Sequence, residues 1–456
     1  MDDAGRASEE RPRSSNWAQS LASGSARLFG AQLVANAGFF FAVLILARAL
    51  SLSERGTVAF LVVAALIVGH IAGLGLGDAT VVLAATFPAS RSRILTNLLV
   101  VSVVASTTAG VGVSLALGNV DQLRPPGVGT AELFLLGIAI VVVALAEAGR
   151  LYLLGCSLFR AQAIIQAAWP WLYVSLLLII ATTKGLGVEA AIASWISCFG
   201  AAALALVTVS IRHEGVGKVD GRLLFSAVRF GVRALGYSAA RVVNFRADQI
   251  LMAFLATEAT LGIYAVAVNA SEMLLYLPSA IGAAIVPAIG STEESRRAER
   301  TLETFRALLL ITIGGVALAG AFGPILVPIA FGNVYENSVV PFLFLLPGAI
   351  GFAAVSVFSG ALVAAGRPGR ASIGSVVAVL IGLGLDFILI PEFEATGAAA
   401  AASLAFLAGG GGSILFFRGA FPFPWKAILP RGRDLRAVLH LTGVGIRTVV
   451  RRRSDT

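Results

Sequence analysis

Apolar runs of about 20 residues, separated by short polar connections, follow one another along most of this chain. Each run matches the hydrocarbon thickness of a bilayer, whereas the strands of a membrane barrel would alternate apolar and polar residues. The pattern therefore predicts an all-α integral membrane protein. It has about twelve transmembrane helices, at residues 27–50, 57–85, 95–117, 131–156, 162–183, 187–211, 228–255, 261–288, 303–331, 338–365, 371–390 and 396–418.

The basic residues are concentrated in alternate connections. With a cytoplasmic N-terminus, twelve spans place 25 Lys and Arg residues on the cytoplasmic side and only 3 in the outer loops. Such a bias sets the orientation of membrane helices. We therefore expect a multi-pass protein of the cytoplasmic membrane (the cell membrane) with both termini cytoplasmic. The first twenty residues lack the apolar run of a signal peptide, so no cleavage is expected.

The bias also requires an even number of spans between Arg222 and Arg296. One arrangement has spans at 228–255 and 261–288 that turn at ATEAT. Another has a surface helix over 229–248, followed by spans at 249–268 and 273–290. The second would bury Glu258 in mid-span, and lipid penalises stray charge, so we favour the first.

The segment RFGVRALGYSAARVVNFRADQ, residues 229–249, carries unusual charge for a membrane helix. At about 100° per residue, six of its polar residues form one stripe. These stripe residues are Arg229, Arg233, Tyr237, Arg241, Asn244 and Asp248, whereas Arg246 points away. An arginine near the bilayer centre costs about 2.5–3.5 kcal/mol, so the stripe must face a cavity or buried partners.

Two interpretations of the stripe are open. Its three arginines outnumber its one aspartate, which favours a cavity that receives an anion, with Arg229, Arg233, Tyr237, Arg241 and Asn244 binding substrate. Alternatively, the arginines pair with carboxylates of neighbouring helices and only hold the bundle together. The possible charge partners or ion-coupling groups are Asp78, Glu147, Asp248 and Glu272, with Asp386 as a further partner.

Other polar positions are less informative. Glu147 and Arg150 are spaced i, i+3, which predicts a local ion pair. The small residues of GLGLGD, residues 73–78, predict close helix contact. The three histidines show no metal-ligand spacing, so no metal site and no cofactor is predicted.

Weak internal similarity divides the chain into halves. LFGAQLVANAGFFF resembles RFGVRALGYSAARV, and RGTVAFLVV (55–63) resembles LGIYAVAVN (261–269). Six spans per half imply parallel repeats. The predicted divisions are an N-terminal tail (1–26), a six-helix bundle (27–211), a linker (212–227), a second six-helix bundle (228–418) and a basic tail (419–456).

Composition agrees with this architecture. Apolar residues make up 57% of the 456 residues and charged residues only 13%, against about 25% in soluble proteins. The net charge of +9 indicates anionic lipid surfaces rather than nucleic acid as a partner. The basic tail, residues 425–453, is expected to lie on anionic membrane lipids, although a disordered basic end is an open alternative.

Several segments carry a familiar pattern of Gly, Ala-Arg and Gly-x-Tyr in apolar sequence. They are GAQLVANAGFFFAVLILARALSLSERGTVAFLVV with GLGLGDATVVLAA, LFRAQAIIQ, and ADQILMAFLATEATLGIYAVAVNASEMLLYLPSAIGAAIVPAI after RFG. These segments resemble the Wzx-type polysaccharide flippases. The similarity covers most of residues 25–418. The same superfamily contains the lipid II flippases, which typically have fourteen helices rather than twelve, and the MATE drug exporters.

The resemblance implies two six-helix bundles around a central cavity. It implies movement of a polyprenyl-diphosphate-linked oligosaccharide to the outer leaflet for cell-surface polysaccharide synthesis, often coupled to a sodium ion or proton. Arg229, Arg233 and Arg241 match the cationic cavity of that family by their position in the seventh span.

Three other functions remain open. A MATE-like ion-coupled exporter of organic cations should have an acidic cavity, which the basic stripe disfavours. A membrane polysaccharide polymerase or ligase needs a long outer loop with catalytic residues, and the outer loops here have ordinary connector lengths, so we do not expect an enzyme. A non-transporting scaffold would retain its function after loss of the stripe charges.

Overall fold

The computed structural model describes the backbone of residues 13–120, 124–125, 127–183, 185–290, 292–432 and 434. Side chains are described from residue 27 onward, apart from 233–241, 283, 287 and 368. The described residues are almost entirely helical and contain no strand, which confirms the all-α prediction. The helices are α1 (Arg13–Ala49), α2 (Leu52–Ala72), α3 (Leu76–Thr86), α4 (Arg91–Asn119), α5 (Thr130–Gly155), α6 (Phe159–Thr183), α7 (Val188–Glu214), α8 (Gly221–Leu255), α9 (Glu258–Glu272), α10 (Tyr276–Gly290), α11 (Glu294–Phe331), α12 (Val339–Ala364) and α13 (Pro368–Ala420).

Ten helical segments in the described part of the chain are long and apolar enough to cross a membrane. The protein is therefore a multi-pass membrane protein. Helix α13 counts once among the ten although it contains two predicted spans, and the charged helix α8 is not among them. Taking α13 as two spans and adding α8 gives the twelve that the sequence predicts.

The backbone breaks at two places, one inside the predicted span 57–85 and one between the predicted spans 371–390 and 396–418. The span at 57–85 is broken into α2 and α3, because Leu74 and Gly75 adopt left-handed conformations, with φ of 51° and 64°. Helix α13 folds back at Glu394, where φ is 49° and ψ is −127°. A Cβ on Gly374 would contact Ser413 and one on Gly382 would contact Ala405, so its two arms run antiparallel.

The turn between α8 and α9 tests the span boundaries that the two arrangements give this region. Helix α8 ends at Leu255, and the Thr257 hydroxyl accepts a hydrogen bond from the amide of Thr260 (3.2 Å) at the start of α9. Glu258 therefore lies in the first turn of α9. The span 249–268 of the surface-helix arrangement was wrong, because this turn interrupts it.

The chain forms two compact units, each with its own core. One comprises Met1–Leu50 and Leu61–Ala239, and its core includes Leu76, Leu95 and Tyr152. The other comprises Ser51–Phe60 and Ala240–Thr456, and in its core the Phe358 ring lies 4.8 Å from Phe305 and 5.2 Å from Phe417. The predicted limits of the two six-helix bundles, 27–211 and 228–418, stay a prediction.

The weak internal repeat corresponds to a contact inside the second unit. A Cβ on Gly56 would lie 1.9 Å from the carbonyl oxygen of Glu258, and one on Gly262 would lie 2.1 Å from that of Leu52. Only glycine allows the start of α2 to cross α9 at this separation. Gly56 and Gly262 hold the same position in the two similar segments, so equivalent residues of the two halves meet.

The start of the basic tail packs onto the second unit. Phe421, Phe423 and Ala427 belong to its core. The Arg306 guanidinium of α11 donates to the Asp434 carboxylate (2.8 Å) and to the Ala427 carbonyl (2.9 Å), and both charged side chains are buried. This part of the tail is therefore held by protein contacts, and the rest of the tail lies outside the described residues.

Candidate functional site

Helix α8 carries the predicted stripe as one unbroken helix from Gly221 to Leu255. Its start is fixed by Asp220, whose carboxylate accepts hydrogen bonds from the amides of Leu223 and Arg222, both at 3.1 Å. These hydrogen bonds, mainly the one from the Leu223 amide and to a smaller extent the one from the Arg222 amide, hold the pKa of Asp220 below its usual value. The Asn97 side chain donates to the Asp220 carbonyl (2.9 Å) and accepts from its amide (3.1 Å), which secures this end to α4.

The N-terminal part of α8 also touches the break between α2 and α3. A Cβ on Gly231 would lie 2.8 Å from backbone atoms of Leu74 and Gly75, so the two backbones are in direct contact. This confirms that GLGLGD supplies a close helix contact. Arg229, two residues earlier on α8, is exposed.

The central stripe residues Arg233, Tyr237 and Arg241 have side chains that lie outside the described residues. Their backbone is helical, so their spacing along one face of α8 follows from helix geometry. Asn244 is described and half-buried. Its neighbour Phe245 packs between Phe352 (5.4 Å between ring centroids) and Phe406 (5.5 Å), which fixes the rotation of this end of α8.

The C-terminal end of the stripe is engaged with α9. The Asp248 carboxylate accepts hydrogen bonds from the Tyr264 hydroxyl and from the Gln249 amide (2.8 Å). Asp386 on α13 lies close enough for its carboxylate to repel that of Asp248. Asp386 is 4% exposed, and its Oδ1 has no hydrogen-bond partner among the described residues. We call the buried Asp386 and the half-buried Asp248 the carboxylate pair.

Arg246, which the helical wheel places away from the stripe, forms an ion pair with Glu272 of α9. Its Nη1 lies 2.5 Å from Oε1 and its Nη2 3.4 Å from Oε2, so both prongs of the guanidinium are used. The two side chains are 26% and 18% exposed. Glu272 is therefore a charge partner of Arg246, and the pair ties α8 to α9.

The first unit contains a second polar cluster. Arg150 donates to Glu147 at 2.8 and 2.7 Å, as the i, i+3 spacing predicts. Glu147, Asp78 and His70 line a small cavity of about 20 Å³ between α2, α3 and α5. This volume has room for one ordered water molecule. Among the described residues, no group of acids, histidines and cysteines has an arrangement that could hold a metal ion.

The family described as “Polysaccharide biosynthesis protein” matches residues 45–340, which is more than half of the chain. The chain belongs to this polysaccharide biosynthesis protein family. No curated protein sequence matches the chain.

Solved structures show which fold this polysaccharide biosynthesis protein has. The lipid II flippase MurJ in an inward closed conformation is 13% identical, with a TM-score of 0.72 over 92% of each chain. An inward-facing multidrug resistance MATE family transporter of the MOP superfamily is 16% identical, with a TM-score of 0.67 over 84% of this chain and 94% of its own. A MOP superfamily transporter from Pyrococcus furiosus is 15% identical, with a TM-score of 0.59 over 87% and 94%.

The fold of this polysaccharide biosynthesis protein is thus that of MOP superfamily transporters and flippases. The solved proteins that share it are described as transporters and a flippase rather than as enzymes. Tyr264 was missed by the sequence analysis, because a tyrosine within an apolar run gives no sign of its partner. The pairing of Asp386 with Asp248 was missed as well, since the two residues are far apart in the sequence.

Proposed function

We propose that this protein moves a polyprenyl-diphosphate-linked oligosaccharide from the inner to the outer leaflet of the cell membrane for cell-surface polysaccharide synthesis. The polysaccharide biosynthesis family and the fold shared with a lipid II flippase support this class of substrate. The observation that carries the proposal is the arginine-rich stripe on α8, which is one continuous helix in a chain of apolar helices.

In this proposal Arg229, Arg233, Tyr237, Arg241 and Asn244 line the substrate cavity. An arginine offers a diphosphate two parallel hydrogen bonds, which are strong in surroundings of low dielectric constant. The anionic headgroup is held there while its lipid tail stays in the bilayer. Alternating access then carries the headgroup across the membrane.

The experiment measures polymer export in cells that lack the native gene, at matched expression levels. Arg241→Ala should reduce export by roughly 10- to 100-fold, the cost of one charge-assisted contact. Arg241→Lys should keep an intermediate rate, because lysine retains the charge but loses the two-pronged geometry. Arg212→Ala, which removes an exposed arginine at the end of α7, outside the stripe, is the control. Normal export by Arg241→Ala would show that the stripe does not bind the substrate.

A MATE-like exporter of organic cations is the second candidate, because MATE transporters share the fold. For the Pyrococcus furiosus transporter, reverse polarity of the binding pocket is described as suggesting a different function. The sign of the cavity charge is therefore the property that separates the two candidates, and an excess of arginine favours an anionic substrate.

We also propose that transport is coupled to a proton or a sodium ion at Asp248 and Asp386. The unpaired Oδ1 of the buried Asp386, near the half-buried carboxylate of Asp248, supports this location. In reconstituted vesicles, Asp386→Asn should abolish the dependence of transport on the ion gradient. A rate that still follows the gradient in this variant would exclude Asp386 as the coupling group.

The proposed orientation has both termini in the cytoplasm, supported by the bias of 25 basic residues against 3. In intact cells, a single cysteine placed at 118–130 should then react with an impermeant reagent, and one placed at 289–302 should not. The basic residues of the tail are proposed to lie on anionic lipids of the inner leaflet, beyond the part that packs on the second unit.

A further inference from the structure

A groove of about 490 Å³ runs between α1 and α6, and its described lining includes no residue of the stripe, the carboxylate pair or the tail. Its two walls are built from residues at helical spacing, so each helix presents one face to it. The lining residues are Arg27, Gly30 and Ala31 of α1, and Arg160, Ala163, Ile164 and Ala167 of α6. The groove thus combines two arginines with an otherwise apolar wall, all within the first unit.

Both arginines lie at the same end of the groove. Gln32 contacts Gln166 through a hydrogen bond, and further along, a Cβ on Gly38 would meet Pro170. Residues later in α1 therefore contact residues later in α6, so the two helices run side by side in the same direction. Arg27 and Arg160 precede these contacts on their helices, and the apolar wall extends from them toward the contacts.

No carboxylate among the described residues neutralises the charge at this end of the groove. Arg27 and Arg160 are both exposed, and neither takes part in an ion pair among the described residues. The side chain of Ile164 is 59% exposed on the apolar wall. A ligand that fits has an anionic group for the guanidinium groups and an apolar chain for the wall.

We propose that this groove binds an anionic phospholipid of the surrounding bilayer. Its phosphate accepts hydrogen bonds from Arg27 and Arg160, and an acyl chain lies along Ala163, Ile164 and Ala167. Basic pockets between membrane helices recognise anionic headgroups in this way. A zwitterionic phospholipid would place its own cation beside the two arginines and would bind less well. Free phosphate would leave the apolar wall uncovered.

Two kinds of variant separate charge from shape. Arg27→Ala with Arg160→Ala removes both guanidinium groups. Gly30→Leu fills the groove without touching either charge, because a Cβ at Gly30 has no atom within 4 Å. The matched control is Arg212→Ala with Arg222→Ala, which removes two exposed arginines of the same unit outside the groove.

The experiment measures lipid retention by the purified full-length protein, using native mass spectrometry after incubation with phosphatidylglycerol or phosphatidylcholine. Wild type should retain phosphatidylglycerol in preference. The paired Arg27 and Arg160 variant should lose affinity by roughly 30-fold, since each basic residue near an anionic surface contributes about fivefold. Gly30→Leu should also lose affinity for phosphatidylglycerol, and the Arg212 and Arg222 control variant should keep it. Melting temperatures confirm that each variant is folded, and Gly30→Leu keeps the test valid if the arginine pair does not fold.

Several outcomes would overturn the proposal. One is equal retention of the two phospholipids by wild type, and another is equal loss in the control pair. Competition by inorganic phosphate at the same concentration as the lipid would show that the groove recognises only the anion. Retention of a polyprenyl diphosphate but not of phosphatidylglycerol would assign the groove to a lipid-linked substrate. The readout is binding, so it does not depend on whether the proposed transport is correct.

Discussion

Each of the two units contains an arginine–glutamate pair on its membrane helices, but one pair lies within a single helix and the other joins two helices. In the first unit, Arg150 and Glu147 lie one turn apart on α5, and their side chains are 36% and 28% exposed. In the second unit, Arg246 of α8 reaches Glu272 of α9, and the pair is 26% and 18% exposed. The first pair stabilises a single helix, whereas the second joins two helices.

The first pair also has more access to water than the second pair. Glu147 borders a cavity with room for one water molecule, which can solvate its charge. Glu272 instead lies in a packed region where Asp248 is already hydrogen-bonded to Tyr264. Loss of one partner should therefore be tolerated in the first unit and poorly tolerated in the second.

The largest expected effect is that of Arg246→Ala. Removing one member of a fully buried pair costs about 3–5 kcal/mol, and partial exposure reduces this to roughly 2–3 kcal/mol here. The measurement is the melting temperature of the detergent-purified protein, which should fall by several degrees. Exchanging the residues, as Arg246→Glu with Glu272→Arg, should recover part of the loss, because the ion pair forms again with reversed polarity.

The exchange distinguishes an ion pair from simple packing. The stability of the double variant is compared with that expected from adding the separate effects of Arg246→Glu and Glu272→Arg. If the double variant is no more stable than this sum, the two charges do not interact and the comparison between the units fails. Because Arg246 is engaged in this way, Arg212 on α7 is the better control for transport experiments on the stripe.

Local spacing accounts for what could be predicted from the sequence. The apolar runs gave most helix positions, and ATEAT gave the turn after Leu255. The pair of Glu147 with Arg150 follows from their i, i+3 separation. In each case the interacting residues are neighbours on one helix or at its end, so no knowledge of the packing is needed.

Contacts between distant residues could not be predicted. Arg246 and Glu272 are 26 positions apart, and Arg306 and Asp434 are 128 positions apart. The chain has several other carboxylates that either arginine could meet, and only packing decides among them. The break after α2 was missed for a related reason, since the glycines of GLGLGD indicate close contact but not that Leu74 and Gly75 are left-handed.

The smaller expected effect is that of Arg150→Ala, which should lower the stability by less than about 1 kcal/mol, as for a partly exposed pair within one helix. The change leaves Glu147 facing the small cavity, where a water molecule can replace the guanidinium. Alanine is also the better helix former, which offsets part of the loss. The melting temperature measured beside that of Arg246→Ala should therefore stay within one or two degrees of wild type. A fall as large as that of Arg246→Ala would mean that Arg150 also holds Asp78 of α3 to α5, and the first pair would then join two helices like the second.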